Sequence, residues 1–266
     1  MVTNMKIRGI NLVYDDLGQG EVIVFIHGQP FNRSMWKYQT EVFAKTHRLI
    51  IPDLRNYGES DVIKGKVLLD ELALDIIHLL EALNIKQAIF AGLSMGGQIV
   101  FEIFRLRPEL FKGMILADTD ARAETEEGYL NRMNLSDKME AEGMKSFTDE
   151  RIHLFVGKQV LEENGAILNH LRNMMEQTSP AGSAAVQRGR AERRDHSEIL
   201  PAIQCPVLII VGAEDGFTPV ATSVYIHQLI PDSQLAIIEN SGHIPNMEQT
   251  ERFNKVVIDF LNHFRL

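Results

Sequence analysis

Short, unbroken apolar runs alternate with amphipathic stretches through the first 120 residues and again from about residue 205. The run EVIVFI at 21–26 has no polar alternation, the mark of a strand buried on both faces of a parallel sheet. RLIIP (48–52), AIFA (88–91), GMILA (113–117), PVLIIV (206–211) and QLAIIE (234–239) repeat that signature. Residues 6–14 alternate loosely and predict one or two edge strands, or a hairpin. Between the runs, Leu68, Leu72, Ile76, Leu79, Leu80 and Leu83 recur at helical spacing, so a helix is predicted over 68–83. The same spacing predicts a helix carrying Ile99, Val100, Ile103 and Phe104 and stopped by Pro108, one over 221–229, and one over 248–264. A helix over 34–44 is predicted with Ser34 as its cap. Strands alternating with helices imply an α/β fold: a doubly wound, mostly parallel sheet.

The pattern changes at 121–200. This segment has no buried strand signature, reads as several charged helices, and carries Met133, Met139, Met144, Met174 and Met175. Residues 179–183, SPAGS, are expected to break the helices. About 80 residues is far too long for a connection between neighbouring strands, so an inserted helical cap (121–200) on a core of 1–120 and 201–266 is the expected organisation. Flexible Met side chains suit an adaptable apolar pocket wall, although each suits a core equally well. The expected pocket residues are Phe31, Trp36, Met133 and Met174.

Composition narrows the partners. The formal charge, 27 − 36 = −9, argues against nucleic acid. Arg188, Arg190, Arg193 and Arg194 form a basic cluster, but Glu192, Asp195 and Glu198 interrupt it, which reads as a solvated helix face. No apolar run is long enough to span a membrane. The N-terminal stretch has no apolar leader, so no signal peptide and a cytoplasmic location are expected. The one cysteine, Cys205, excludes an internal disulfide and reads as an inert core residue. Oligomeric state leaves no trace.

Chemistry concentrates at QAIFAGLSMGG, 87–97. A strand, a tight turn bearing G-x-S-x-G and a helix form the context in which the serine is a nucleophile. Side chains at Gly92 and Gly96 would collide across so sharp a turn. A serine needs a base, and the base an orienting carboxylate. His243, in the loop after the last strand, and Asp215, in the loop after the one before it, supply them in the chain order Ser94, Asp215, His243. Glu214, Asp118 and Asp120 compete for the carboxylate role, with Asp118 also at a strand end. Two backbone N–H groups should hold the oxyanion: that of Met95, and that of Gln29 in the loop after EVIVFI, since Pro30 has none. His27 reads as a structural group pinning that loop. No HExxH, no histidine pair at i, i+4 and no G-x-G-x-x-G is present, so no metal, nicotinamide or flavin is expected.

Together, His27-Gly28-Gln29-Pro30 with Trp36 downstream, the loop 53–60, Gly92–Gly97, 212–219 and Gly242-His243 resemble the α/β-hydrolase-fold proteins over essentially the whole chain. Small serine carboxylesterases and 3-oxoadipate enol-lactonase-like hydrolases are most similar, with the non-haem haloperoxidase/perhydrolase group nearby. The stretch 193–201 resembles the end of the cap in that group. The resemblance implies a triad on Ser94, Asp215 and His243, oxyanion donors on Gln29 and Met95, no cofactor, and a small-molecule ester or lactone cleaved through an acyl-enzyme. Asn56 stands where these proteins usually have glycine, so a left-handed backbone is expected there. Two alternatives remain. One is hydrolysis of a C–C bond in a dienoate, with Arg122 or Arg190 anchoring its carboxylate. The other is a ligand receptor that keeps the hydrolase shell.

Overall fold

The unbroken apolar runs lie side by side in one sheet of the chain, whose computed structural model describes residues 2–263. β1 (Val2–Ile7) and β2 (Ile10–Leu17) pair antiparallel at one edge, turning through Arg8 and Gly9, both at positive φ. β3 (Val22–Ile26) follows directly. A single 3-10 turn then leads into α1 (Lys37–Phe43). The cap of this turn is Asn32 rather than Ser34: the Asn32 side-chain oxygen accepts from Ser34 N at 3.0 Å. Asparagine two residues earlier reaches the free N–H groups that Ser34, already inside the turn, cannot.

β4 (Arg48–Pro52), α2 (Leu69–Ala82), β5 (Ala88–Leu93), α3 (Met95–Leu106) and β6 (Phe111–Ala117) continue the alternation. The 121–200 segment is helical, as its pattern predicts: α4 (Glu126–Arg151), α5 (Lys158–Glu163), α6 (Gly165–Gln177) and α7 (Pro180–Ala191). α4 bends at Gly143, where φ is 80°. The SPAGS stretch marks the expected break between helices: α6 ends at Gln177 and α7 starts within the stretch. Ser179 accepts from Gly182 N and Pro180 takes the first helical position, where a missing N–H costs nothing. β7 (Val207–Gly212), α8 (Val220–Leu229), β8 (Gln234–Ile238), the short α9 (Pro245–Glu248) and α10 (Thr250–His263) complete the chain. The expected final helix therefore starts at Thr250 rather than Glu248, which ends a separate short turn opened by Pro245, and Phe264 lies outside the described residues.

The strand order is β1-β2-β4-β3-β5-β6-β7-β8, parallel from β4 to β8. Successive strands step outward in both directions from β3, so helices cover both faces and two apolar layers result. β5 sits mid-sheet with every residue buried. The loops that carry chemistry all leave carboxyl ends of these strands, where open parallel sheets place ligands. No helix among the described residues is long and apolar enough to cross a membrane.

Candidate active site

Ser94 sits between β5 and α3 with φ 56° and ψ −114°, outside the regions ordinary residues prefer. Holding a non-glycine residue there costs on the order of 1–3 kcal/mol. The surroundings enforce it. Ser94 N donates to Ala117 O at 2.9 Å, and the Thr119 hydroxyl donates to Ser94 O at 2.7 Å. A Cβ on Gly92 would lie 2.4 Å from Gly96 C, and one on Gly96 would lie 2.2 Å from Ile26 O. These glycines are required by close approach of backbone to backbone.

His243 and Asp215 meet at this end of the sheet. His243 Nδ1 lies 2.8 Å from Asp215 Oδ2, and both residues are buried. Phe217 N donates to Asp215 Oδ1 at 2.8 Å, Thr218 N to the same oxygen at 3.2 Å, and the Thr218 hydroxyl to Oδ2. Burial works against ionising Asp215, but the charge and hydrogen bond of His243, then the Thr218 and Phe217 donors, hold its carboxyl far below the usual range. The Phe217 ring stands edge-on to the imidazole at 5.0 Å, and His243 N donates to Phe155 O at 3.0 Å.

Asp118 lies beneath this pair. Its Oδ1 accepts from Gly212 N at 2.9 Å, while its buried Oδ2 has no hydrogen-bond partner. Ligand atoms of Asp118, Asp215 and His243 fall within 4.8 Å of one another. Such a cluster could hold a metal on distance alone. Its chemistry is that of a proton network instead, because Asp215 already receives four donors, His243 Nδ1 among them. Burial first, then the Asp215 charge, drives the Asp118 carboxyl well above its ordinary range, so it stays neutral beside an ionised partner. Glu248, which the sequence did not single out, fixes the histidine loop. It accepts from Gly242 N at 2.9 Å, Ser241 Oγ at 3.1 Å and Ile244 N at 3.3 Å, and from Gly157 N of the cap at 2.6 Å.

The loop after β3 is held from the cap side. The Gln29 side chain donates to Ser183 O at 3.0 Å and accepts from Arg190 at 3.0 Å, so its backbone stays in place at the cavity wall. His27 accepts from Leu54 N at 3.0 Å and its Nδ1 lies 2.8 Å from Gly28 O, a pin for the loop with no opening to the cavity. Asn56 has φ 76°, and its side chain joins Ile63 to Gly182 of α7. The left-handed backbone expected there is present.

Residues 21–250 match the family model described as the alpha/beta hydrolase fold. The chain belongs to that family. It is 31% identical to 3-oxoadipate enol-lactonase 2 of Acinetobacter baylyi over 97% of this chain and 95% of that one. Among solved structures, a malate-bound thermophilic esterase from Thermogutta terrifontis superposes with a TM-score of 0.95 at 32% identity, covering 99% of this chain and 98% of the other. The enol-lactonase from Burkholderia xenovorans superposes with a TM-score of 0.91 at 26% identity, covering 98% and 100%.

In this α/β hydrolase, Ser94, His243 and Gln29 open onto one cavity of about 650 Å³ under the cap. Its wall is mixed rather than wholly apolar: Leu135, Met139, Phe147, Phe155 and Phe217 line it beside charged and amide groups. Phe31, Trp36, Met133 and Met174 are absent from it. Trp36 is fully buried, its ring 4.9 Å from Phe25 and 6.3 Å from Phe253, and Phe31 backs onto Phe155. Met174 fills the core beneath the cap. The stripe of α4 that faces the cavity is Gly128, Asn131, Arg132, Leu135, Lys138 and Met139, at helical spacing, and Met133 falls off that stripe. The basic cluster also departs from its expected place. Arg190 is buried on the cavity wall and Arg193 lines it, while Arg188 pairs with Asp137 and Glu140 and only Arg194 is well exposed. Cys205 is half-buried, and burial raises its thiol to about 11.

Proposed function

We propose that this ester- or lactone-cleaving hydrolase works through Ser94 as nucleophile, His243 as base and Asp215 as orienting acid. The observation that carries this reading is the 2.8 Å His243–Asp215 pair facing the same cavity as a serine held on a strained turn. Asp215 fixes the Nδ1–H tautomer, which leaves Nε2 to take the Ser94 proton as Oγ attacks the carbonyl. Met95, first residue of α3, and Gln29 supply N–H groups to the tetrahedral oxyanion. His243 then hands the proton to the leaving alkoxide, and water activated by the same imidazole releases the acid. No step in this sequence calls for a cofactor.

A small-molecule partner and a cytoplasmic setting belong to the same proposal, supported by the cavity beneath the cap, the acidic composition and the lone cysteine. C–C bond hydrolysis has one observation in its favour, the placement of Arg190 on the cavity wall; Arg122 instead pairs with Asp120 on the surface. Turnover of short-chain p-nitrophenyl esters tests the choice. Rapid hydrolysis by the wild type and none by Ser94→Ala supports the ester or lactone reading. Inertness toward esters with turnover of a dienoate transfers the site to the other.

A further inference from the structure

Asp118 takes no part in the reaction steps above, yet it is held tightly beside them. It follows the last residue of β6 with φ 46°, a left-handed backbone that is uncommon for a residue with a side chain. The residue is fully buried. Asp118 N donates to Ile210 O at 3.0 Å, and Oδ1 accepts from Gly212 N at 2.9 Å, so β7 fixes both its backbone and its side chain. Oδ2 is left over: it is buried, and no donor among the described residues reaches it. An ionised carboxylate oxygen in that position is costly, because it has lost water and gained nothing.

The groups around Asp118 say what it lacks. Ligand atoms of Asp118, Asp215 and His243 lie within 4.8 Å of one another, and the Asp215 carboxylate is within side-chain hydrogen-bonding reach. Glu248 of α9 bears on it from the side of the histidine loop, and its own carboxyl is raised by burial. Two ionised carboxylates have no hydrogen to place between them, whereas one that carries a proton becomes a donor. Asp215 is not the protonated member, since His243, Thr218 and Phe217 all donate to it. Glu248 likewise accepts from four groups. Asp118 receives one donor only, the Gly212 N–H.

We propose that Asp118 is a positioning residue for the triad: it carries a proton on Oδ2 and donates it to the Asp215 carboxylate, so that the two acids hold one negative charge beneath His243. This rests on the serine-hydrolase reading for its catalytic consequence, but not for the shared proton. A second ionised carboxylate within 4.8 Å would tighten the imidazole's hold on a proton by on the order of two pH units at an effective dielectric of about 20. An imidazole charged in that way cannot accept the Ser94 proton. One negative charge orients the ring and stabilises the imidazolium once it forms. Burial keeps the second acid neutral, and a neutral acid can donate a hydrogen bond where an ionised one can only repel.

The test is the pH profile of kcat/KM on p-nitrophenyl acetate, whose acid limb reports the base. Asp118→Asn places a neutral N–H donor where the carboxyl proton was, and the limb should stay at its wild-type position. Asp118→Leu removes the donor and should move the limb upward by roughly half a pH unit or more, a shift that lost packing alone does not produce. Independently of turnover, the infrared spectrum of the wild type at neutral pH should contain a protonated-carboxyl band that Asp118→Asn lacks. A limb that falls by on the order of two units in Asp118→Asn means that Asp118 was ionised, and overturns the proposal while leaving the hydrolase intact. An unmoved limb in a folded Asp118→Leu protein, or an infrared spectrum unchanged by Asp118→Asn, overturns it as well. A protein inert toward every ester that still loses the band in Asp118→Asn supports the shared proton and removes the hydrolase reading. Should Asp118→Leu fail to fold, the Asp118→Asn limb and the infrared band decide.

Discussion

On the sheet side of the cavity, backbone fixes each functional group: Ser94 by the β5–α3 turn, Asp215 by the turn after β7, His243 by the loop that Glu248 ties together. On the cap side, function rests on long side chains reaching inward from helices, such as Arg132 and Lys138 from α4 and Gln187 and Arg190 from α7. The first wall determines what reaction occurs and tolerates almost no change of backbone. The second determines what binds, and its residues can be exchanged on a helix without disturbing the turn opposite. One framework can therefore keep its chemistry while its specificity drifts.

Substitutions on the two walls should separate these roles. The largest effect is expected from Ser94→Ala: at least roughly 10³-fold loss of turnover with an unchanged melting temperature. Asp215→Asn comes next, with a loss on the order of 10²–10⁴-fold in kcat, because the amide favours the wrong imidazole tautomer. Full activity in either protein removes that residue from its role. Gly92→Ala should cost stability instead, about 1–3 kcal/mol by thermal melting, since its Cβ would meet Gly96 at 2.4 Å. Glu248→Gln should lower both stability and rate modestly, by about 1–3 kcal/mol for the former, as an amide oxygen replaces a carboxylate that accepts four hydrogen bonds.

The smallest effect concerns pH. Asp118 is held well above its ordinary range by burial and by Asp215. Above about pH 4 the unfolded chain releases this proton while the native protein keeps it, so native stability falls as pH rises toward the raised folded value. Asp118→Asn removes that loss. Its melting temperature relative to wild type should therefore climb as pH rises above about 4. A constant difference across that range contradicts a neutral Asp118.

The same division explains what the chain reveals before folding. Strand runs, the elbow glycines and the strand-end Asp215 and His243 are local: a strand must end in a turn, and the turn must have residues that allow it. The cap is different. α4 is polar along much of its length, so no apolar stripe announces which face turns inward, and that face proves to mix Asn131, Arg132 and Lys138 with Leu135 and Met139. Arg190 hides in a run of charges that reads as solvated, although Gly189 beside it is the clue. A Cβ at 189 would lie 1.7 Å from Val67 O, so α7 is pressed onto the core there. Trp36 misleads in the opposite sense: a large aromatic near the oxyanion loop suggests a pocket wall, yet its size suits the seam between Phe25 and Phe253. Thr119, Glu248 and Phe217 support the site through contacts far apart in sequence, which periodicity does not encode.

The most direct measurement is covalent labelling by a fluorophosphonate, followed by intact mass and peptide mapping. One adduct per chain, on Ser94, forming at least roughly 10²-fold more slowly in His243→Ala, is the expected result. No adduct, an adduct on another residue, or an equal rate without the imidazole would contradict the account.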